Sequence, residues 1–352
     1  AGAQLDLSRF YLEGGRADVA RALCLDGLRT RAQDSRFPQC LARIAATEND
    51  YGGALAWYSD TLSMLPNERA LYDEILEVFN GLIEQGLLRP DSGATRALWT
   101  RAIEILEERM RRFPDDAPPV APEHLYAAIG LAEMNSGNAV DAERYLNESL
   151  ARKQTPFALQ QLGLLQLRMG RADQAVANLR KALSLVSGDG LDAARKQSEL
   201  YENLGDALRL AGLNDESRAA YEEALSRLTA ETSSDRKARR MGTAHLRRGI
   251  VLGRLGKHDE AKAAFIRAMD LSPGQRETYA TILSYLVIAP PDAAFAEEVF
   301  HTAQNQLSLP PEWKVYFALW VRMISARAGQ AEPSEVSGLF ASFGEGNDDE
   351  WF

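Results

Sequence analysis

Apolar and small residues recur along this chain at the spacing of amphipathic helix pairs, and the pattern is most regular between Tyr201 and Pro273. Apolar residues three or four positions apart lie on one face of a helix, so the spacing predicts helices rather than strands. One set of offsets occurs twice. The first copy contains Leu204, Gly205, Leu208, Gly212, Ser217, Tyr221 and Ala224, and the second contains Gly249, Leu252, Gly256, Ala261, Phe265, Ala268 and Pro273.

The small residues of this pattern have a physical explanation. A glycine in the middle of a helix costs about 1 kcal/mol relative to alanine, so Gly205 and Gly249 indicate close packing against a second helix. Gly212 and Gly256 stand where the first helix ends in a left-handed residue. Pro273 ends the second helix because proline cannot donate a backbone hydrogen bond. Each copy therefore predicts a helix, a tight turn and a second helix.

This pattern resembles the tetratricopeptide repeat, a helix-turn-helix unit of about 34 residues. The resemblance implies an all-α fold, in which antiparallel helix pairs stack into a right-handed superhelical solenoid with a concave binding surface. It also implies a non-enzymatic scaffold that binds a partner protein or peptide in that groove. Five or six repeats are recognisable, together with divergent pairs.

The register of the repeats predicts five segments along the chain. These are residues 1–113, two repeats and a divergent helical pair; 114–122, a proline-rich hinge; 123–273, four regular repeats; 274–343, divergent capping helices; and 344–352, an acidic tail. Asn49 replaces the turn glycine of the second repeat, a substitution that the left-handed conformation tolerates. Before the last two regular repeats, Asp192 and Asp235 predict extended first helices.

Composition narrows the classes of function. The formal net charge of −10 argues against a general affinity for nucleic acid. No run of apolar residues is long enough to predict a membrane-spanning helix. The two cysteines, Cys24 and Cys40, are too few for a zinc knuckle or a disulfide framework, and we expect them to be thiols on adjacent helices. The four histidines stand in separate units without a second ligand at helical spacing. We predict no catalytic residue, no metal and no cofactor.

The resemblance also implies which residues of the first helices line the groove. Carried over by register, they are Gln160, Gln161 and Arg168, then Glu202, Asn203, Asp206 and Arg209, then Arg247 and Arg254. The alternative is that each is an ordinary exposed helix residue. One subfamily clamps the terminal carboxylate of chaperone tails, but Gln160, Leu164 and Thr243 stand where it needs lysine, asparagine and lysine.

A basic stretch between Asp235 and Lys257 offers a second candidate surface. It contains eight Lys or Arg residues and one acid, including the candidate residues Arg236, Arg239, Arg240, Arg247, Arg248 and Arg254. Three interpretations remain open: a solvated face paired with neighbouring acids, a site for an acidic protein segment, and a nucleic-acid site. Arg248 occupies an apolar register position. One interpretation is that its guanidinium reaches solvent or pairs with Glu222 or Glu223. The other is that Arg248 belongs to a partner site.

The sequence thus predicts a scaffold protein. The alternatives are an assembly or export scaffold of the periplasm or envelope, and a regulatory repeat region of a larger enzyme such as a kinase. The Ala-, Arg- and Leu-rich composition suggests a bacterial protein, in the cytoplasm or periplasm.

Overall fold

The computed structural model describes residues 2–84, 93–188, 190–232 and 238–344 of the chain. Every element of regular structure in these ranges is an α-helix, and the predicted all-α class is confirmed. The chain divides into two compact units, residues 1–169 and residues 170–352. In both units, helices that are consecutive in the chain pack against each other.

The first unit contains nine helices within its described residues. They are α1 (Gly2–Glu13), α2 (Ala17–Thr30), α3 (Arg36–Thr47), α4 (Tyr51–Met64), α5 (Arg69–Glu84), α6 (Gly93–Arg112), α7 (Pro122–Asn135), α8 (Ala139–Arg152) and α9 (Pro156–Arg168). Its largest core cluster begins on α3 and continues to α7, with Tyr58, Phe79 and Trp99 among its buried aromatic residues.

The second unit also contains nine helices within its described residues. They are α10 (Ala172–Leu185), α11 (Leu191–Leu210), α12 (Asn214–Thr232), α13 (Ala238–Arg254), α14 (His258–Leu271), α15 (Arg276–Ile288), α16 (Ala293–Gln304), α17 (Pro311–Arg327) and α18 (Ser334–Gly344). Its largest core cluster includes Phe265, Tyr279, Phe295, Phe300 and Phe317. The four helices predicted after Pro273 are therefore present as α15 to α18.

Glycines bring the two helices of a repeat into close contact, as the sequence predicts. A Cβ atom added at Gly205 on α11 would lie 2.5 Å from Cε1 of Tyr221 on α12. At Gly249 on α13, the added atom would lie 2.5 Å from Cδ1 of Phe265 on α14. In both pairs an aromatic ring lies against bare backbone, so no larger residue fits without displacing the ring.

The turns inside the repeats also share one geometry. Gly212 and Gly256 both have φ of +78°, in the left-handed region. In each turn the amide that follows the glycine closes the helix end, Leu213 N–H to Leu208 O at 2.8 Å and Lys257 N–H to Leu252 O at 2.9 Å. Asn49, with φ of 63°, is the one described non-glycine residue with a positive φ, in agreement with its expected role.

Many of the described extra residues of the longer repeats lie in helices. Helix α11 has 20 residues, as Asp192 predicts for an extended first helix. The extra residues before α13 are shared with the preceding second helix, because α12 itself has 19 residues. The second helix therefore takes part of the length that the sequence assigns to the following first helix. Asp235 and the acidic tail from Glu345 onward lie outside the described residues.

Within the first unit, a buried arginine holds the proline-rich segment in place. The Arg109 side chain is 0% exposed, and its Nε lies 2.9 Å from Oδ1 of Asp73 on α5. Its guanidinium also donates to the carbonyl oxygens of Asp116 and, at 3.0 Å, Ala117. Paired and hydrogen-bonded, this charge is compatible with burial. The segment is non-helical between α6 and α7, while its role as a hinge stays a prediction.

The two cysteines form a disulfide, and the prediction that they remain thiols is wrong. Cys24 on α2 and Cys40 on α3 do lie on adjacent helices, and their sulfur atoms are bonded. The stacking of one helix pair on the next places their Cα atoms 6.4 Å apart. That separation is within the range that a disulfide spans. Counting cysteines could not reveal this proximity.

We predict that Gly205→Leu and Gly249→Leu each lower the free energy of unfolding by about 2–3 kcal/mol, because a branched side chain must displace Tyr221 or Phe265. Thermal or urea unfolding followed by circular dichroism measures the loss. Gly81→Leu is the matched control, since a Cβ at this helical glycine meets no atom within 4 Å. Equal stability of all three variants would show that the close helix contact is absent.

We predict that reduction of the disulfide lowers the free energy of unfolding by about 3 kcal/mol, the value typical for a short closed loop. The Cys24→Ala/Cys40→Ala variant should have the reduced stability and should not respond to reductant. Unfolding with and without reductant tests both statements. Two titratable thiols in protein denatured without reductant would contradict the disulfide.

Candidate functional site

An ion-pair cluster joins the first helices of two neighbouring repeats, α11 and α13. The Nε atom of Arg247 on α13 lies 3.0 Å from Oε2 of Glu202 on α11. Its Nη2 is 3.2 Å from Oγ of Ser198, and its Nη1 is 3.5 Å from Oε1 of Glu199. Only 16% of the Arg247 side chain and 17% of the Glu202 side chain are exposed. These two predicted groove residues therefore bind each other.

Asp206, one turn further along α11, is a second centre on the same helix. Its Oδ1 accepts a 2.7 Å hydrogen bond from the Tyr221 hydroxyl of α12. Arg254 Nε of α13 lies 3.3 Å from the same oxygen, and Arg209 Nη2 lies 3.6 Å from it. Three of the predicted groove residues thus meet at one carboxylate, with a tyrosine that the sequence analysis did not select.

Burial and charge shift the pKa values of this region. Burial raises the pKa of Glu202 above its usual value, although Arg247 opposes that shift. Burial also raises the pKa of Tyr221, with the adjacent Asp206 as a further cause, so this hydroxyl stays protonated and donates. On α13, burial and then the positive charges of Arg248 and Arg267 lower the pKa of His245. The imidazole of His245 is therefore neutral near pH 7.

The remaining predicted groove residues differ in exposure. On α9 in the first unit, Gln160 is half-buried, Gln161 is only 8% exposed, and Arg168 is exposed. Arg168 Nη1 lies 3.4 Å from the carbonyl oxygen of Met134. Asn203 is half-buried on α11, next to Glu202. Gln161 offers little surface to a ligand, because its position on α9 faces the core rather than solvent.

The basic stretch is only partly within the described part of the chain. Arg236 lies outside it, and Arg239 and Arg240 belong to α13, with side chains that are not described. Arg247 and Arg254 pair with acids of α11, as the interpretation of neighbouring ion pairs predicts.

Arg248 does not make the ion pair with Glu223 that the sequence suggests as one possibility, since Glu223 pairs with Arg227. The Arg248 side chain is half-buried on α13. Its Nε is buried and has no hydrogen-bond partner among the described residues.

The described ranges contain neither of two further classes of site. No group of His, Cys, Asp or Glu side chains there is arranged to hold a metal ion. None of the helices in those ranges combines the length and apolar character needed to cross a membrane.

Comparison with known proteins identifies the repeats. The family model described as tetratricopeptide repeat matches residues 158–185, 198–227 and 242–275. The last two segments fall on the helix pairs α11–α12 and α13–α14, which include the close contacts at Gly205 and Gly249. No curated protein matches the chain significantly.

Similar solved structures include several repeat proteins. A tetratricopeptide repeat protein from Parabacteroides merdae is 14% identical, with a TM-score of 0.41 over 81% of this chain and 98% of that one. A repeat-containing protein from Cytophaga hutchinsonii is 12% identical, with a TM-score of 0.43 over 85% and 97%. PilW, described as a type IV pilus biogenesis factor, is 20% identical, with a TM-score of 0.34 over 69% and 96%.

The repeat pattern of the sequence, the stacked helix pairs and the three matched segments agree with one another. Together they show that residues 158–185, 198–227 and 242–275 are tetratricopeptide repeats within an all-helical chain.

Proposed function

We propose that this protein is a non-enzymatic scaffold that binds another protein or a peptide along the first helices of its repeats. The observation that supports the proposal best is the polar cluster shared by α11 and α13. Its ion pairs connect successive first helices directly, so their polar side chains form one surface. In repeat proteins of this kind, first-helix surfaces are extended and suited to binding a chain.

The geometry of this cluster indicates the type of ligand. Glu202 and Asp206 are held in place by Arg247, Arg254 and Tyr221, so a ligand need not order them. The positive charges of both arginines are already balanced by these acids. The face therefore favours a segment with alternating polar groups over a uniformly acidic one.

A specific observation favours a second candidate function, a scaffold of the periplasm or envelope. The disulfide between Cys24 and Cys40 is of a kind that persists in oxidising compartments and is rare in the cytosol. We propose the oxidising compartment as the place where the scaffold acts.

We predict that the variant Arg168→Glu/Arg209→Glu loses the partner that the wild-type protein retains in affinity purification from its own cells. Arg168 is exposed on α9 of the first unit and Arg209 is exposed on α11 of the second unit, so reversing their charge changes the first-helix surface of each unit without removing a buried group. The matched control is Arg144→Glu/Lys181→Glu, which makes the same change of charge on the second helices α8 and α10. Mass spectrometry compares the three samples.

Circular dichroism of the three proteins should show equal helix content and thermal midpoints. Equal recovery of every partner by the groove variant, the control and the wild type would place binding elsewhere. Catalytic turnover by the purified chain would contradict the non-enzymatic part of the proposal.

We also predict that the cysteines are oxidised in living cells. Cells quenched in acid and treated with a maleimide of high mass should yield a protein without added mass unless it is first reduced. Deletion of the cell's disulfide-forming machinery should then expose both thiols. A protein that reacts fully without reduction would indicate a reducing compartment.

A further inference from the structure

A cleft lies between α1 and α3, the first helices of the first two helix pairs. Its volume is about 230 Å³. Four residues from one face of α1 and four from one face of α3 line it, and on each helix they follow the spacing i, i+3, i+4, i+7. They are Leu5, Ser8, Arg9 and Leu12 of α1, and Arg36, Gln39, Cys40 and Arg43 of α3. None of these residues belongs to the polar cluster on α11 and α13.

Part of the cleft wall is apolar. Leu5, Leu12 and the disulfide-bonded Cys40 are the apolar residues that line it. The Ser8 hydroxyl is already engaged, because its Oγ lies 3.1 Å from the carbonyl oxygen of Ala20. The volume is below the 300–1,000 Å³ that is usual for small-molecule pockets. A single large apolar side chain suits this space better than a cofactor does.

The rim of the cleft is positively charged. Of the described residues that line it, three are arginines and none is an acid. Arg36 Nη2 pairs with Asp34 at 2.7 Å, and Arg43 Nη2 pairs with Glu74 at 2.9 Å. Arg9 is exposed and makes no ion pair or hydrogen bond with any described residue. The Arg9 guanidinium at the edge of the cleft is therefore available to pair with an incoming carboxylate.

We propose that this cleft binds an extended segment of a partner protein in which a large apolar residue stands beside a carboxylate. The apolar side chain enters between Leu5 and Leu12, and the carboxylate pairs with Arg9. Gln39 and the outer edges of Arg36 and Arg43 are available to orient the peptide backbone. The inference rests on the proposed scaffold function and adds a second surface with its own ligand chemistry.

Neither part of this ligand suffices by itself. An exposed ion pair contributes only about 0–1 kcal/mol, so an acidic segment without an apolar residue binds weakly. Burial of an apolar side chain adds about 1.5–3 kcal/mol, but an apolar residue without the carboxylate leaves Arg9 unpaired. The required combination makes the site selective and supplies a direct test.

The test uses short fluorescein-labelled peptides and fluorescence anisotropy with the full chain. We expect a peptide with a central Glu-Phe-Glu to bind at least about tenfold more tightly than its Glu-Ala-Glu counterpart, as one buried ring implies. It should bind about two- to fivefold more tightly than its Gln-Phe-Gln counterpart, as an exposed ion pair implies. Leu and Trp series test the size of the apolar residue. Each peptide is made with a free and with an amidated carboxyl terminus, which distinguishes a side-chain carboxylate from a chain-end carboxylate.

Arg9→Glu should weaken binding of the Glu-Phe-Glu peptide at least about tenfold. The matched control Arg29→Glu makes the same substitution at an exposed position of α2 outside the cleft and should bind as the wild type does. Three results would each overturn the proposal. They are equal affinity for the Glu-Phe-Glu and Gln-Phe-Gln peptides, unchanged affinity of Arg9→Glu, and no binding in the Phe, Leu and Trp series.

The experiment separates this inference from the scaffold function. If Arg9→Glu retains both the peptide and the cellular partner while Arg168→Glu/Arg209→Glu loses the partner, the scaffold proposal stands and the cleft is not a binding site. If Arg9→Glu alone loses both the peptide and the partner, the cleft is the principal site.

Discussion

The close approach of an aromatic ring to a glycine is the contact on which the regular repeats depend. Tyr221 lies on Gly205 and Phe265 lies on Gly249, at distances that leave no room for a Cβ atom. A glycine inside a helix weakens that helix, so the contact must contribute more than the glycine costs. With the helix axes this close, the two helices of a repeat bury a continuous core, which neither could form alone.

The same contact connects the core to the candidate binding face. The ring of Tyr221 packs against Gly205, and its hydroxyl donates to Asp206, the next residue of α11. Asp206 in turn is 3.3 Å from Arg254 of the following repeat. A packing contact, a hydrogen bond and an ion pair thus form one chain of interactions. Loss of the glycine contact would disturb the binding face as well as the stability of the repeat.

The first unit is held by interactions outside the repeat pattern. The buried Arg109 fixes the proline-rich segment through Asp73 and two backbone carbonyl groups, and the disulfide links α2 to α3. Neither interaction follows from the spacing of apolar residues. Both depend on side chains that lie far apart in the chain and become neighbours only when the helices stack, so they stabilise the less regular part of the protein.

The sequence by itself determined the helix class, the turns at Asn49, Gly212 and Gly256, and the four helices after Pro273, because these depend on local spacing and on backbone conformation. It also identified groove candidates by register. Among them, Glu202 and Asp206 lie beside Arg247 and Arg254, while their role in binding stays a prediction. Only the tertiary structure decided that these charges pair, that Gln161 is buried and that Cys24 and Cys40 are joined. The cleft beside Arg9 also required it, since the lining residues come from two helices and their proximity depends on long-range packing. Local periodicity encodes which face of a helix is apolar, whereas the distance between two side chains on different helices is set by the packing of all the residues between them.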